Sequence, residues 1–309
     1  GQVFTASTAL AAFDITGGAT AQNITGSSTA SNTITGGGGA DTLTGGGGAD
    51  TFNFASDTDL AAATVAGAGG ADNITMTAAA TLTDTDFTDV SAVETLVLTG
   101  TSSVTLGTNA DTATLDAVTT GAGATSVTTE NESTAVGINA AALADGVALT
   151  LADTNTAAFT VTNLVGDIVT DAVAGTLNVT TATVVNSSIQ TAAGATTIGG
   201  DATAVAVDAA DLADDINLTL NGATNYTVTA LEGNVVAGGS TGTLNITFDN
   251  VTDDEASIGA GTGNVTVAGG NAGDTITVTG LATGGQVFTA STALAAFDIT
   301  GGATAQNIT

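Results

Sequence analysis

Residues 36–53 read GGGGADTLT followed by GGGGADTFN, two nine-residue segments that differ only in their last two residues. Both follow the pattern G-G-x-G-x-D-x-U-x, in which U is a large apolar residue, Leu43 or Phe52. Glycine reaches left-handed backbone angles, so such a turn closes tightly and directs carbonyl oxygens at an ion. The sixth residue, Asp41 or Asp50, adds a hard anionic oxygen. The pattern predicts cation-binding turns, and we expect the eighth side chain to point into a core.

This stretch resembles the RTX family, whose nonapeptides form a calcium-filled parallel β-roll. The resemblance implies Ca²⁺ as the cofactor. It also implies an all-β fold, a parallel β-roll or β-solenoid with RTX-type turns, to which the rest of the chain adds stacked short-strand repeats and minor helix. In the family an ion lies between turns that are two nonapeptides apart. Asp41 is therefore expected to face the turn at Gln22, and Asp50 the turn at Asn32.

Looser copies of the nonapeptide surround the perfect pair. They begin at Gly17, Ser27, Gly67, Gly259 and Gly269. Those from Gly67 and Gly269 keep an acidic sixth residue. The candidate metal ligands are Asp41, Asp50, Asp72, Asp274, Asn32, Gly36, Gly38, Gly45 and Gly47. A flexible glycine-rich linker is the alternative interpretation, but two perfect tandem copies with apolar eighth residues favour the turn.

Two further acidic groups offer oxygen ligands for a cation. In the segment TDTDFTD, Asp84 and Asp86 are predicted to share one face of a strand, and Asp89 follows. The second group contains Asp249, Asp253 and Asp254, together with Asn250 and Glu255. For both groups the alternative is a solvated acidic turn or a helix cap, and we favour that alternative.

The rest of the chain has the pattern of short strands. Runs such as LTL, FTVT and TLNVT alternate apolar residues with Thr or Asn and are separated by Gly, Asn or Asp, which is typical of β-strands. The absence of Pro suits a long ladder in which every backbone N–H is a donor. Short Ala-rich helices with polar caps are predicted at 56–64, 139–145 and 208–215.

Two repeats define the predicted organisation. Residues 285–309 repeat residues 1–25 without a change, so the period is 284 residues and we infer a tandem array. A diverged repeat aligns residues 164–180 with residues 231–247. The predicted segments are a junction at 1–16, an RTX-like β-roll at 17–75, a strand-rich segment at 76–141, β-repeat units at 142–210 and 211–284, the second with an RTX-like end, and the start of the next period at 285–309.

The charge balance excludes several classes of function. The 309 residues include 30 Asp and Glu but no Lys, Arg or His, so the formal charge is −30. Nucleic acid is excluded as a partner because phosphate contacts need Lys or Arg, and no apolar stretch is long enough to insert in a membrane. No general base poised near neutrality and no nucleophilic pair is present, so we expect no enzyme. Counter-charge must come from outside the chain.

The sequence therefore predicts an extracellular structural repeat protein of a bacterial cell surface. We expect it to self-associate into a calcium-stabilised filament, sheath or surface layer, or to continue as tandem repeats of the same chain. The segment DVSAVETLVLTGTSSVTL, which begins at Asp89, has a strand-rich pattern. This pattern is similar to that of bacterial surface-layer proteins and giant surface adhesins. The stalk of a giant RTX-type adhesin that mediates attachment between cells or to surfaces is the alternative.

Overall fold

The chain forms two compact units. The computed structural model describes residues 2–6, 12–131, 134–183, 185–249, 255–268, 275–281, 287–290, 296–301 and 307–308. The first unit contains residues 1–143 and 152–157, and the second unit contains residues 144–151 and 158–309.

The first unit consists mainly of short strands. Its strands are β1 (Val3–Thr5), β2 (Asp14–Thr16), β3 (Asn23–Thr25), β4 (Thr33–Thr35), β5 (Thr42–Gly46), β6 (Thr51–Phe54), β7 (Thr64–Ala68), β8 (Asn73–Met76), β9 (Thr81–Leu82), β10 (Val90–Ser91), β11 (Thr95–Val97), β12 (Ser102–Leu106), β13 (Ala117–Thr119), β14 (Thr125–Thr129) and β15 (Val136–Asn139). Its helical segments are α1 (Asp57–Ala62), α2 (Thr108–Ala113) and a 3₁₀ helix (Asp84–Phe87).

The second unit is built from strands of the same kind. They are β16 (Ala148–Asp153), which ends in residues of the first unit, β17 (Phe159–Leu164), β18 (Asp167–Asp171), β19 (Leu177–Thr181), β20 (Asn186–Gln190), β21 (Thr196–Gly200), β22 (Ala204–Asp208), β23 (Asn217–Gly222), β24 (Asn225–Leu231), β25 (Asn234–Ser240), β26 (Leu244–Phe248), β27 (Glu255–Gly259), β28 (Val265–Ala268), β29 (Thr275–Leu281), β30 (Val287–Ala290), β31 (Ala296–Gly301) and β32 (Asn307–Ile308).

Successive strands alternate between sheets, and the paired strands run parallel. In the first unit β1, β3, β5, β7 and β10 form one sheet, which we call sheet I, and β2, β4, β6, β8, β11, β13 and β15 belong to another, sheet II. The strands β9, β12 and β14 belong to a third sheet. The second unit alternates in the same way, with its odd-numbered strands from β17 in one sheet and its even-numbered strands in another. This is a parallel β-solenoid, so the predicted all-β fold with minor helix is confirmed.

The eighth residues of the nonapeptides stack into the core of the first unit. In sheet I, Leu43 lies in register between Ile24 and Val65. In sheet II, Phe52 lies in register beside Ile74. All five side chains are buried, and each contributes roughly 1.5–3 kcal/mol through the removal of apolar surface from water. The inward direction expected for Leu43 and Phe52 is confirmed.

One of the three predicted helices is present. Helix α1 begins after Ser56, whose hydroxyl accepts a hydrogen bond from the backbone N–H of Asp59 at 3.1 Å. Leu60 anchors the helix in the core. This capped and amphipathic segment has the features on which the prediction was based.

The predicted helices at 139–145 and 208–215 are wrong, since both segments form turns. The side chain of Asn139 accepts from the N–H of Ala141, and that of Asp208 from the N–H of Ala210, each at 3.2 Å. A polar side chain that bonds two residues ahead stabilises an Asx turn rather than a helix. The structure instead contains α2 and the 3₁₀ helix, which the sequence pattern did not indicate.

The diverged repeat of the second unit spans a half-integral number of coils. Strands β17 and β24 have matching sequences, as do β19 and β26, yet the members of each pair belong to different sheets. Both β17 and β24 show a register shift, after Val161 and Val228 respectively. The same local sequence therefore builds the same bulged strand on either side of the coil.

No helix among the described residues combines the length and the apolar character that crossing a membrane requires.

Candidate metal centre

Corners that lead from sheet I to sheet II stack directly on one another. We call the corners at 26–32, 45–50, 67–72 and 92–94 the acidic corner column. Strand pairing brings Thr25 beside Thr44, Thr44 beside Ala66, and Ala66 beside Ser91. Each of these four residues is followed by the first residue of a corner. The four first residues are therefore also in register, and they are Gly26, Gly45, Gly67 and Ala92.

A ladder of carboxylates connects the corners of this column. The backbone N–H of Asn32 donates to Oδ1 of Asp50 at 2.7 Å, and the N–H of Asp50 donates to Oδ1 of Asp72 at 2.7 Å. The N–H of Asp72 donates in turn to Oε2 of Glu94 at 2.7 Å. Each acidic side chain thus contacts the preceding coil. Asp50 lies against the corner of Asn32, which is the pairing expected from the sequence.

The second oxygen of two carboxylates in the column has no partner. Asp50 is fully buried and Asp72 is 1% exposed, and Oδ2 of each accepts no hydrogen bond. A buried ionised group without compensation is strongly unfavourable. The chain has no Lys, Arg or His, so no side-chain cation of its own is available. These two oxygens fit a bound hard cation.

A glycine, which has no Cβ, leaves space beside each of these two carboxylates. A Cβ on Gly45 would contact Oδ2 of Asp50 and lie 2.7 Å from the carbonyl oxygen of Gly67. A Cβ on Gly67 would likewise contact Oδ2 of Asp72 and the carbonyl oxygen of Ala92. At both positions a carboxylate oxygen and a carbonyl oxygen of the next coil converge beside a glycine. Such a set of oxygen ligands is the kind that calcium prefers.

The corners that return from sheet II to sheet I hold a shorter version of this arrangement. The N–H of Gln22 donates to Oδ1 of Asp41 at 2.7 Å, as expected from the sequence. A Cβ on Gly36 would contact Oδ2 of Asp41, and one on Gly17 would contact the carbonyl oxygen of Gly36. The next return, between β6 and β7, contains α1 in place of a nonapeptide.

The glycine-rich corners depend on left-handed residues between the predicted ligands. Gly37 and Gly46 have φ values of +90° and +140°, which other residues rarely adopt. Gly38 donates its N–H to the preceding coil, to the carbonyl oxygen of Gly18 at 3.2 Å. A Cβ on Gly47 would contact the backbone of the preceding coil. Coils are therefore in backbone contact at the corners.

Burial dominates the electrostatics of these carboxylates. It raises the pKa values of Asp41, Asp50 and Asp72 above their usual 3.8, against the opposing effect of the backbone N–H groups that bond them. For Asp72 the charges of Asp50 and Glu94 raise the pKa further. Without an external cation, the fold holds these groups at a cost.

The prediction for Asp84 and Asp86 is wrong in its geometry, because both belong to the 3₁₀ helix and not to a strand. The carboxylate of Asp84 accepts from the N–H groups of Asn109 and Ala110 at the start of α2. Asp86 accepts from the N–H of Thr83 at 2.7 Å. These contacts are those of helix caps, the alternative that we favoured.

Two further predicted ligands, Asp89 and Asp249, are not in the acidic corner column. Asp89 is exposed, and its carbonyl oxygen accepts from the N–H of Val65. Asp249 follows β26. The pKa of Glu232 is raised first by the burial of that residue and then by the charge of Asp249. Asp274, Asp253 and Asp254 lie outside the described residues.

Sequence reasoning missed Glu94. Its corner lacks glycine, so the nonapeptide pattern does not extend to it. The signal was the spacing, since Asp50, Asp72 and Glu94 follow one another at intervals of 22 residues. Within the described part of the chain there is no group of three or more acidic side chains that could hold a metal ion by itself. The other ligands of an ion at these corners would be backbone carbonyls, amide oxygens or water.

Comparisons with known proteins agree with this geometry. Residues 23–61 match the RTX calcium-binding nonapeptide repeat, in four copies. A search among curated proteins found no match, and a search among solved structures found none either. Residues 23–61 of this β-solenoid are thus RTX repeats, motifs that bind Ca²⁺.

Proposed function

We propose that this chain is an extracellular structural repeat protein whose solenoid is completed by calcium. The proposed ligands are the carboxylates of Asp41, Asp50 and Asp72, the side chain of Asn32, and the corner glycines already predicted, Gly36, Gly38, Gly45 and Gly47. The observation that carries this proposal is the unpartnered Oδ2 of Asp50, which is buried beside the carbonyl oxygen of Gly67.

The charge of the chain supports an external cation. With 30 acidic and no basic residues, every carboxylate repels the others as the chain compacts. Calcium bound at the corners offsets this repulsion at the place where coils are in backbone contact. Extracellular calcium modules bind at roughly 10⁻⁴–10⁻³ M. The corners would therefore order outside the cell and remain loose where calcium is scarce.

Strand pairing supports a chain that continues through successive periods. Val3 pairs with Asn23 and Phe4 with Ile24 in the first copy of the repeated segment. In the second copy the same residues, 284 positions later, pair in the same register: Val287 with Asn307 and Phe288 with Ile308. The opposite edge of β30 pairs with β28. One period would thus add its coils directly to those of the period before it.

The edge of β1 supports the same arrangement. Val3 and Phe4 are 74% and 37% exposed, although both are strongly apolar. In the second copy, the strand equivalent to β1 has β28 along this edge. A preceding period would cover β1 in the same way. We propose that periods joined in this manner form the long element of a filament, sheath or surface layer.

The proposal is tested on a protein of several periods imaged by electron microscopy in calcium and in EGTA. We expect rods with regular contacts between neighbours in calcium, and loss of order with a lower melting temperature in EGTA. Isolated rods without lateral contacts would favour the adhesin-stalk alternative. A melting temperature and a rod structure that do not respond to EGTA would contradict the calcium role.

A further inference from the structure

The carboxylate ladder continues beyond the glycine-rich corners. The corner at 92–94 reads Ala-Val-Glu and lies outside the residues that match the RTX repeat. Glu94 nevertheless occupies the place that Asp50 and Asp72 hold in their own corners. Its Oε2 accepts from the N–H of Asp72 at 2.7 Å, and its own N–H donates back to the carbonyl oxygen of Asp72 at 3.1 Å.

A buried and unpartnered oxygen faces this corner. Asp72 is 1% exposed and its Oδ2 has no hydrogen-bond partner. That oxygen and the carbonyl oxygen of Ala92 converge at the position that a Cβ of Gly67 would occupy. The arrangement repeats the one at Gly45 on the preceding coil. Ala92 has a left-handed φ of +51° without being glycine, a conformation that the surrounding fold must stabilise.

We propose that the corners at 67–72 and 92–94 form a further calcium site that closes the acidic corner column. Its ligands are Oδ2 of Asp72, the carbonyl oxygen of Ala92 and the carboxylate of Glu94. This inference rests on the proposed calcium role of the nonapeptide corners. It extends that role to a corner with neither glycine nor Asp, where the longer Glu side chain replaces Asp.

The column ends at this site because the next coil is different. Oε1 of Glu94 accepts from the hydroxyl of Thr114 at 3.4 Å, and Thr114 follows directly on α2. Asp116, one interval of 22 residues after Glu94, is exposed and makes no contact in the ladder. Asp116 is therefore a matched control that removes one charge near the column without touching the site.

The test counts the calcium ions bound by the full chain, with terbium luminescence as a second readout. We expect Glu94→Gln, which retains an acceptor for the Asp72 N–H, to bind one ion fewer or to weaken one ion at least about tenfold. Asp116→Asn should match the wild type. Gly67→Ala should also lose this ion, because its Cβ would fill the site, whereas Gly69→Ala, whose Cβ would lie 3.8 Å from its nearest neighbour, should retain it.

The outcome separates this inference from the broader proposal. Asp50→Asn removes a ligand of the nonapeptide corners and serves as the reference. If Asp50→Asn lowers calcium binding while Glu94→Gln binds as the wild type does, the site at Glu94 is overturned and the RTX corners stand. If neither variant differs from the wild type, both proposals fail. If Gly67→Ala disturbs the fold, Glu94→Gln alone decides.

Discussion

Both units bury hydroxyl side chains within the same type of coil, but among the described residues only the first unit also buries carboxylates. Among the described residues, the buried polar side chains of the second unit are hydroxyls: Thr170, Thr181, Ser187, Thr191, Thr196, Thr224 and Ser240. The nonapeptide corners of the first unit bury Asp41, Asp50 and Asp72. A neutral hydroxyl can donate to a neighbouring coil, as Thr170 does to the carbonyl oxygen of Thr191 at 2.8 Å, and the hydroxyls of Ser187, Thr191 and Ser240 are buried without a partner but carry no charge. A carboxylate is charged and only accepts, so the unpartnered Oδ2 atoms of Asp50 and Asp72 fit a cation.

Coil stacking and metal dependence are therefore separable. Parallel pairing and an apolar interior hold both units, and the described strands of each unit pair in parallel. Among the described residues, buried carboxylates and carbonyl oxygens are directed at the same points in the first unit alone. We therefore expect calcium to matter at the nonapeptide corners and to matter little in residues 159–248 of the second unit.

The largest expected effect is that of Gly45→Ala. The new Cβ would contact Oδ2 of Asp50 and the backbone of Gly67, and overpacking of this kind costs about 1–3 kcal/mol. In the second unit Gly238 has no atom within 4 Å of such a Cβ. Gly238→Ala should instead stabilise by about 0.4–1 kcal/mol through the unfolded state. Thermal or denaturant unfolding in calcium measures both, and equal effects would remove the distinction between the units.

The effect of Asp50→Asn on the free energy of unfolding should change sign between calcium and EGTA. In calcium the variant loses an anionic ligand, and we expect at least about tenfold weaker binding, or roughly 1.4 kcal/mol. In EGTA it should be more stable than the wild type by about 1–3 kcal/mol, because an uncompensated buried charge is removed. Asn32 shows how an amide fits there, since its Nδ2 lies 3.4 Å from the carbonyl oxygen of Gly45.

The control for this change is Asp167→Asn in the second unit. Asp167 also accepts a backbone N–H of the next coil, that of Ser188 at 2.7 Å, but it is partly exposed. Its substitution should have a small effect that is the same with and without calcium. Destabilisation by Asp50→Asn in both conditions would contradict the account.

The pH dependence of stability should also reverse with calcium. Burial raises the pKa values of Asp41, Asp50 and Asp72 in the folded chain above 3.8, so the folded state binds more protons than the unfolded state between the two values. In EGTA the free energy of unfolding should therefore rise as pH falls from neutrality towards 3.8. In saturating calcium protons compete with the ion, and stability should fall instead.

The matching variant replaces all three of these Asp residues with Asn. In EGTA, the free energy of unfolding of this variant should depend much less on pH than that of the wild type. Glu232 of the second unit, whose pKa is raised by burial and by the charge of Asp249, should contribute to the remaining dependence on pH. A variant that retains the full slope would place the titrating groups elsewhere.

The smallest expected effect is that of Thr170→Val in the second unit. It removes the hydrogen bond to Thr191 and should cost about 1 kcal/mol. Since no ion is involved, the cost should be equal in calcium and in EGTA when unfolding is followed in both buffers. A calcium-dependent cost would show that the second unit also depends on the ion.

The sequence predicts the features that local patterns encode. The two perfect nonapeptides were sufficient to predict the inward direction of Leu43 and Phe52, which glycine spacing and period-two alternation determine within a few residues. The resemblance to RTX repeats implied the parallel β-solenoid and the contacts of Asp41 and Asp50 with the preceding corners.

The features that were missed depend on distant contacts. Asp84 accepts from the N–H groups of α2 about 25 residues later, which no local pattern reveals. Glu94 joins the column through strand register rather than through a motif. The segment 208–215 has the composition of a helix, but Asp208 bonds two residues ahead and the turn leads to β23. For Asp84 and Glu94 long-range packing decides between local alternatives, whereas at 208–215 a local Asx turn competes with the helix.

Hydrogen exchange by mass spectrometry, followed peptide by peptide in calcium and in EGTA, can show whether calcium stabilises the nonapeptide corners specifically. The account predicts that EGTA lowers the protection of residues 23–97 by about tenfold or more, while residues 159–248 change less than about twofold. Equal protection of residues 23–97 in both buffers, or an equal loss in both regions, would contradict it.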